Sequence, residues 1–123
     1  MVKLVFCLRR LPHLSRAQFQ RYWGETHGPL VRSHAATLGI RRYVQVHTLD
    51  DPRQEVLRAS RGGPEAYDGV AELWWDSLDA LEAATREPAG QAAALALLED
   101  ERRFIDLARS PLFVAEERPV IAA

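Results

Sequence analysis

The chain has 123 residues, 47% hydrophobic and 27% charged, with a net charge of -1. That length suits one domain over residues 1–123 with a core that needs no staples, and the balanced charge argues against nucleic acid or an acidic membrane as partner. The lone Cys7 cannot form an internal disulfide, no apolar run could span a bilayer and no cleavable signal opens the chain, so a reducing cytoplasm is the expected setting.

Residues 2–9 alternate, with Val2, Leu4, Phe6 and Leu8 on one side and Lys3, Val5, Cys7 and Arg9 on the other. Both sides carry apolar groups, which predicts a strand covered on both faces. Pro12 lies in a short connection, and Ser15 then opens a helix by two independent signals. One is a capping box with Gln18; the other is a staple of Leu14 on Phe19. The apolar stripe runs through Phe19, Tyr22, Trp23, Leu30, Val31 and Leu38, with His27 and His34 in or beside it, and Gly39 stands where such a helix ends. Pro29 cannot donate to the Glu25 carbonyl, so the helix must kink or restart around Gly28-Pro29.

A second strand is predicted over residues 40–49, neither face of it purely solvent-like. Residues 50–67 form a polar excursion with Asp51-Pro52 and Gly62-Gly63-Pro64, with room for a helical turn at 54–60. Such a segment serves as a lid or binding loop, or is disordered, and residues 50–66 are expected to be the most mobile internal stretch. Residues 69–75 read as the third strand. Asp76 with Asp79 is expected to cap the next helix, and Pro88 to restart it after Glu87. Residues 89–107 are rich in Ala and Leu, with Ala92, Leu95, Leu98 and Ile105 near one stripe; Ser110-Pro111 ends them, and residues 112–116 make the last strand.

The order strand, helix, strand, strand, helix, strand predicts an α+β, ferredoxin-like βαββαβ fold: a four-stranded antiparallel sheet with both helices on one face. The helix-free face is also apolar, and a second copy of the same sheet is the economical cover, so a homodimer is expected.

Trp23 and His27 lie one turn apart on one helix face, beside the Gly28-Pro29 break. An indole and an imidazole projecting together could hold a small molecule; a core aromatic cluster with a buried, bonded histidine is the competing reading. His27, Glu72 and Tyr43 are the candidate catalytic groups. His27 would act as general base or acid, Glu72 as the carboxylate that orients it, and Tyr43 or Tyr22 as donor to a developing enolate. Glu72 stands out because it replaces an apolar residue in an apolar strand; a salt bridge to Arg9, Arg42 or another basic residue is the equal alternative. Tyr22, Trp23, His47 and Trp74 would frame the ligand. His27, His47 and Glu72 could in principle make a two-His-one-carboxylate set but lack the local spacing of a metal site, so no metal is expected.

Several segments together resemble the EthD family of the dimeric α+β barrel superfamily. They are Phe19, Tyr22-Trp23, His27-Gly28-Pro29-Leu30-Val31, the run from Arg42 to His47, and the run from Tyr67 to Trp74 with Asp76-Ser77. The resemblance implies a sheet-to-sheet dimer with a pocket between helices and sheet in each subunit. It also implies a small accessory protein of catabolic or aromatic polyketide pathways, some relatives being cyclases, dehydratases or decarboxylases without cofactor. The founding member is associated with an ether-degrading monooxygenase system, but no Gly-rich dinucleotide loop follows a strand here. Two function classes stay open. One is a cofactor-free enzyme acting on a small, aromatic or polyketide-like carbonyl compound through a His general acid–base. The other is a non-catalytic accessory or ligand-binding protein of a monooxygenase-linked catabolic pathway.

Overall fold

The computed structural model describes residues 1–122. Its strands are β1 (Val2–Leu8), β2 (Arg42–His47), β3 (Gly69–Trp75) and β4 (Leu112–Ala115). They form one four-stranded sheet in the order β2-β3-β1-β4, with every neighbouring pair antiparallel. The helices are α1 (Arg16–Tyr22), α2 (Gly28–Leu38), α3 (Arg53–Arg61), α4 (Leu78–Ala84) and α5 (Pro88–Glu101). This is the expected ferredoxin-like α+β arrangement, with α3 added between β2 and β3.

Alternation along each strand separates two faces. Leu4, Phe6 and Leu8 of β1 and Ala71, Leu73 and Trp75 of β3 face the helices. On the other face Val44, Glu72, Val5 and Phe113 stand side by side across the four strands. Phe19 and Trp23 pack with Leu8, Ala71, Phe104 and Ile105 in one buried cluster; Val31 and Leu38 pack with Ala93 and Leu97 in a second.

The capping box at Ser15 forms as the sequence predicts: Ser15 Oγ accepts from the Gln18 N–H, and the Ser15 N–H donates to Gln18 Oε1. The break at Gly28-Pro29 takes a specific form. Between α1 and α2 the chain makes a π turn, Trp23–His27, closed by the Gly28 N–H donating to the Trp23 carbonyl. The wider turn carries the helix past Pro29, which donates no bond, without stopping it. Gly39 ends α2 at φ 74°, its N–H reaching the Ala35 and Ala36 carbonyls.

Three local expectations are corrected. Ser77, not Asp76, caps α4: its hydroxyl accepts from the Ala80 N–H, while Asp76 pairs with Arg41 across 2.8 Å. The α5 stripe is placed differently: Gly90, Ala93, Leu97 and Asp100 are buried and Ala92 and Leu95 are exposed, while Leu98 lines the cavity. The helix also ends at Glu101, and Ile105 bridges instead to Arg10. The polar excursion holds more helix than a turn: α3 spans nine residues, none of them buried.

Candidate active site

A cavity of about 480 Å³ lies between the helical layer and the sheet. Its wall is mostly aliphatic and aromatic, and the polar side chains that reach it are His27, Tyr43, Thr85, Glu101 and Ser110. The π turn supplies Trp23 and His27, which are 1% and 5% exposed although Gly24, Glu25 and Thr26 between them face solvent.

Trp23 is seated from three sides. Gln45 Nε2 donates to its carbonyl at 2.9 Å, and the His47 ring stacks on the indole with 4.5 Å between centroids. Beneath it is Gly69, where a Cβ would come within 2.4 Å of the indole, so only glycine fits. Gln45 also donates to the Tyr43 hydroxyl at 2.8 Å and bonds His47 Nε2 through its Oε1 at 2.9 Å. The Tyr43 oxygen thus accepts from Gln45, leaving its own proton free to donate into the cavity. Burial pushes the Tyr43 phenol up from its ordinary value, and Glu101 adds to the rise.

His27 is held by Asp100. Its Nδ1 lies 2.7 Å from Asp100 Oδ2, and the Tyr22 hydroxyl donates to Oδ1 of the same carboxylate at 2.5 Å. A carboxylate there fixes the tautomer with the proton on Nδ1, so Nε2 carries the lone pair. Nε2 has no hydrogen-bond partner among the described residues and is not fully buried; with Nδ1 turned to Asp100, outside the lining, and the ring itself lining the cavity, Nε2 is the nitrogen on the cavity side. Burial lowers the imidazole's pKa below its ordinary value and outweighs the opposing pull of Asp100. The ring is therefore a neutral base near pH 7, oriented from behind and accessible in front.

The structure separates the residues singled out from sequence. His27, Tyr43 and Trp23 line the cavity together. His47 serves as the stacking platform for Trp23. Tyr22 does not line the cavity; it stands behind His27 as the second donor to Asp100, against Phe104. Glu72 and Trp74 are corrections. Both project from the helix-free face, because even-numbered β3 residues alternate away from Ala71 and Leu73. Glu72 pairs there with Lys3 at 2.6 Å, and Trp74 donates from Nε1 to Glu117 beneath the Arg42 guanidinium. The carboxylate that orients His27 is Asp100. Among the described residues no three His, Cys, Asp or Glu side chains converge as a metal-binding set.

Asp100 and Glu101 are the site residues that sequence reasoning missed, inside a segment read only as rich in Ala and Leu. The signal was present: Gly90, Ala93, Leu97 and Asp100 recur at helical spacing, which puts Asp100 on the buried stripe. Glu101 follows it, turned toward the cavity, where burial and then the neighbouring Asp100 push its carboxyl up to about 7.

The family model for the EthD domain matches residues 11–108, a span running from the loop before α1 to the turn before β4. The chain belongs to the EthD family. Solved structures agree with the EthD fold. An EthD family protein from Bacillus halodurans C-125 is 24% identical, with 96% of this chain and 99% of that chain covered and a TM-score of 0.63. A dimeric protein of unknown function with a ferredoxin-like fold, from Bacteroides fragilis NCTC 9343, is 12% identical over 94% and 95% of the two chains, with a TM-score of 0.58. SnoaB, a cofactor-independent oxygenase from Streptomyces nogalater, is 18% identical over 99% and 97%, with a TM-score of 0.54. A comparison with curated protein sequences returns no match. No helix of this EthD chain, among the described residues, is long and apolar enough to cross a membrane.

Proposed function

We propose that this EthD protein is a cofactor-free acid–base catalyst acting on a small, aromatic or polyketide-like carbonyl compound in the cytoplasm. One observation carries the reading: a neutral imidazole, oriented through Nδ1 by Asp100, presents Nε2 to an apolar cavity of about 480 Å³. In this reading Nε2 takes a proton from the carbon next to the ligand's carbonyl, and the electron pair of that C–H bond moves onto the carbonyl oxygen as an enolate. The Tyr43 hydroxyl donates to the oxygen as charge develops. The enolate then closes on a second carbonyl, or expels a β-hydroxyl that leaves as water, and the imidazolium returns its proton to the oxygen so formed or released. The likeness to a cofactor-independent oxygenase supports chemistry carried by side chains alone.

The same reading includes a homodimer formed through the helix-free sheet face, with the pocket complete in each subunit. Val46 and Phe113 on that face are 43% and 49% exposed, and the Bacteroides relative is described as dimeric. Light scattering at micromolar concentration should give twice the chain mass; monomer alone would remove this part of the proposal.

The catalytic claim is tested with benzoylacetone, an aromatic 1,3-diketone. Wild-type protein in deuterium oxide should speed exchange of its central methylene protons, followed by NMR, and His27→Ala should abolish the acceleration. Saturable binding without accelerated exchange would favour the accessory, non-catalytic role instead.

A further inference from the structure

Among the described residues Glu101 is the one carboxyl that lines the cavity, and nothing in the acid–base reading above uses it. It follows Asp100 on α5, and consecutive helical residues point about 100° apart. Asp100 therefore reaches back to His27 and Tyr22 while Glu101 turns into the space that His27 Nε2 faces. The two residues share a helix end but not a role.

The surroundings of Glu101 offer no counter-ion. No Lys or Arg lines the cavity among the described residues. The titratable groups that face Glu101 are Asp100 on its own helix, His27 from the π turn and Tyr43 from β2; the residues that β1, β3, β4, α2 and α4 contribute to the lining are apolar. Asp100 repels a charge on Glu101, and neither the neutral imidazole nor the phenol cancels one. An unpaired carboxyl in such a place stays protonated more readily than one in water. Its value of about 7 agrees with that geometry. A protonated carboxyl is a hydrogen-bond donor, the opposite of its usual role.

We propose that Glu101, as the neutral acid, holds the ligand's carbonyl oxygen opposite His27 Nε2, so that the cavity selects uncharged carbonyl compounds and rejects carboxylates. The proposal rests on the acid–base reading of the cavity. When His27 removes the carbon-bound proton, the carbonyl oxygen gains the electron pair and its bond from Glu101 tightens. When the imidazolium returns the proton to carbon, the pair moves back and Glu101 retains its own proton throughout. A carboxylate in the same position would meet an apolar wall, no cation and a Glu101 that must stay protonated to avoid a second negative charge.

Infrared difference spectra test this without any ligand. A carboxylic-acid carbonyl band should be present in wild type at mildly acid pH, fade as pH rises through about 7, and be missing in Glu101→Gln. Its absence from wild type at mildly acid pH would overturn the inference. Benzoylacetone exchange supplies the functional arm. Glu101→Leu should lower the exchange rate by roughly 10²–10³-fold, the usual loss of an oxyanion donor. Glu101→Gln, which keeps a donor, should retain most of the rate and lose the decline that wild type shows above pH 7. Benzoylacetate, the carboxylate analogue, should bind wild type at least tenfold more weakly than benzoylacetone. Wild-type rates in Glu101→Leu, with His27→Ala inactive, would overturn the role of Glu101 and leave the His27 reading standing. Wild-type rates in His27→Ala would remove both.

Discussion

Glu72 and Glu101 are the same side chain set among apolar neighbours on opposite sides of one sheet. Glu72 sits in the middle of the helix-free face with the Lys3 ammonium 2.6 Å away, both about four-fifths shielded from solvent. Glu101 sits on the helix side facing a cavity to which no Lys or Arg of the described residues contributes. The first arrangement neutralises a charge and needs nothing more. The second leaves a carboxyl whose proton is shifted into the range where chemistry happens, held at about 7. Chemical character alone does not distinguish a structural carboxylate from a functional one; the partner does.

Several measurements break or sharpen that contrast. The largest effect is expected at His27. His27→Ala should lower turnover by roughly 10²–10⁴-fold, and it should also cost about 1–3 kcal/mol in a chemical melt because Asp100 Oδ2 loses its partner. A destabilised variant that keeps full turnover would return His27 to the role of a core residue. Asp100→Ala removes the acceptor for both the His27 ring and the Tyr22 hydroxyl. It should cost about 2–4 kcal/mol of stability, checked by urea unfolding.

Glu101→Gln should act in the other direction. The folded carboxyl titrates at about 7 against an ordinary 4.5, so the folded state holds its proton where the unfolded chain has released it. The stabilisation this gives is complete below pH 4.5 and is lost as pH rises through about 7. Above that, an ionised Glu101 costs the fold up to about 3 kcal/mol. Melts should therefore show Glu101→Gln close to wild type near pH 5 and more stable at about pH 8. His27 works oppositely: its lowered value means stability is lost as pH falls below its ordinary 6.5. A constant gap between the two proteins at every pH would contradict the environment described for Glu101. The smallest effect belongs to the other face. Glu72→Gln leaves the shielded Lys3 ammonium without its counter-ion, so it should cost about 1–2 kcal/mol of stability while leaving turnover unchanged.

The fold was legible because its signals are local and redundant. The capping box at Ser15, the strand alternation in residues 69–75 and the restart at Pro88 each depend on a few neighbouring residues. Half of the site was legible for the same reason: Trp23 and His27 are one turn apart on a helix that the sequence itself breaks. The other half depends on which way strands and helices face. A one-residue change of parity sends Glu72 and Trp74 to the far side of the sheet, and sequence alone gave both faces similar apolarity. Asp100 joins His27 across 73 positions, a pairing that only tertiary packing creates.

The π turn has a consequence for chain length. Phe19, Trp23, His27 and Val31 are buried at intervals of four residues. On an α-helix each such step overshoots a full turn by about 40°, so the row would spiral away from the sheet. Under-winding at Trp23–His27 brings it back into line. A chain one residue shorter at Glu25 or Thr26 would have no need of the wide turn. Its helix would close into regular α winding, and eleven steps of about 100° would still bring Val31 to within roughly 20° of the Phe19 face, against Ala93 and Leu97. Along this stretch the helix takes up one residue more than regular winding needs, in side chains that touch only water, without losing the register of the buried row.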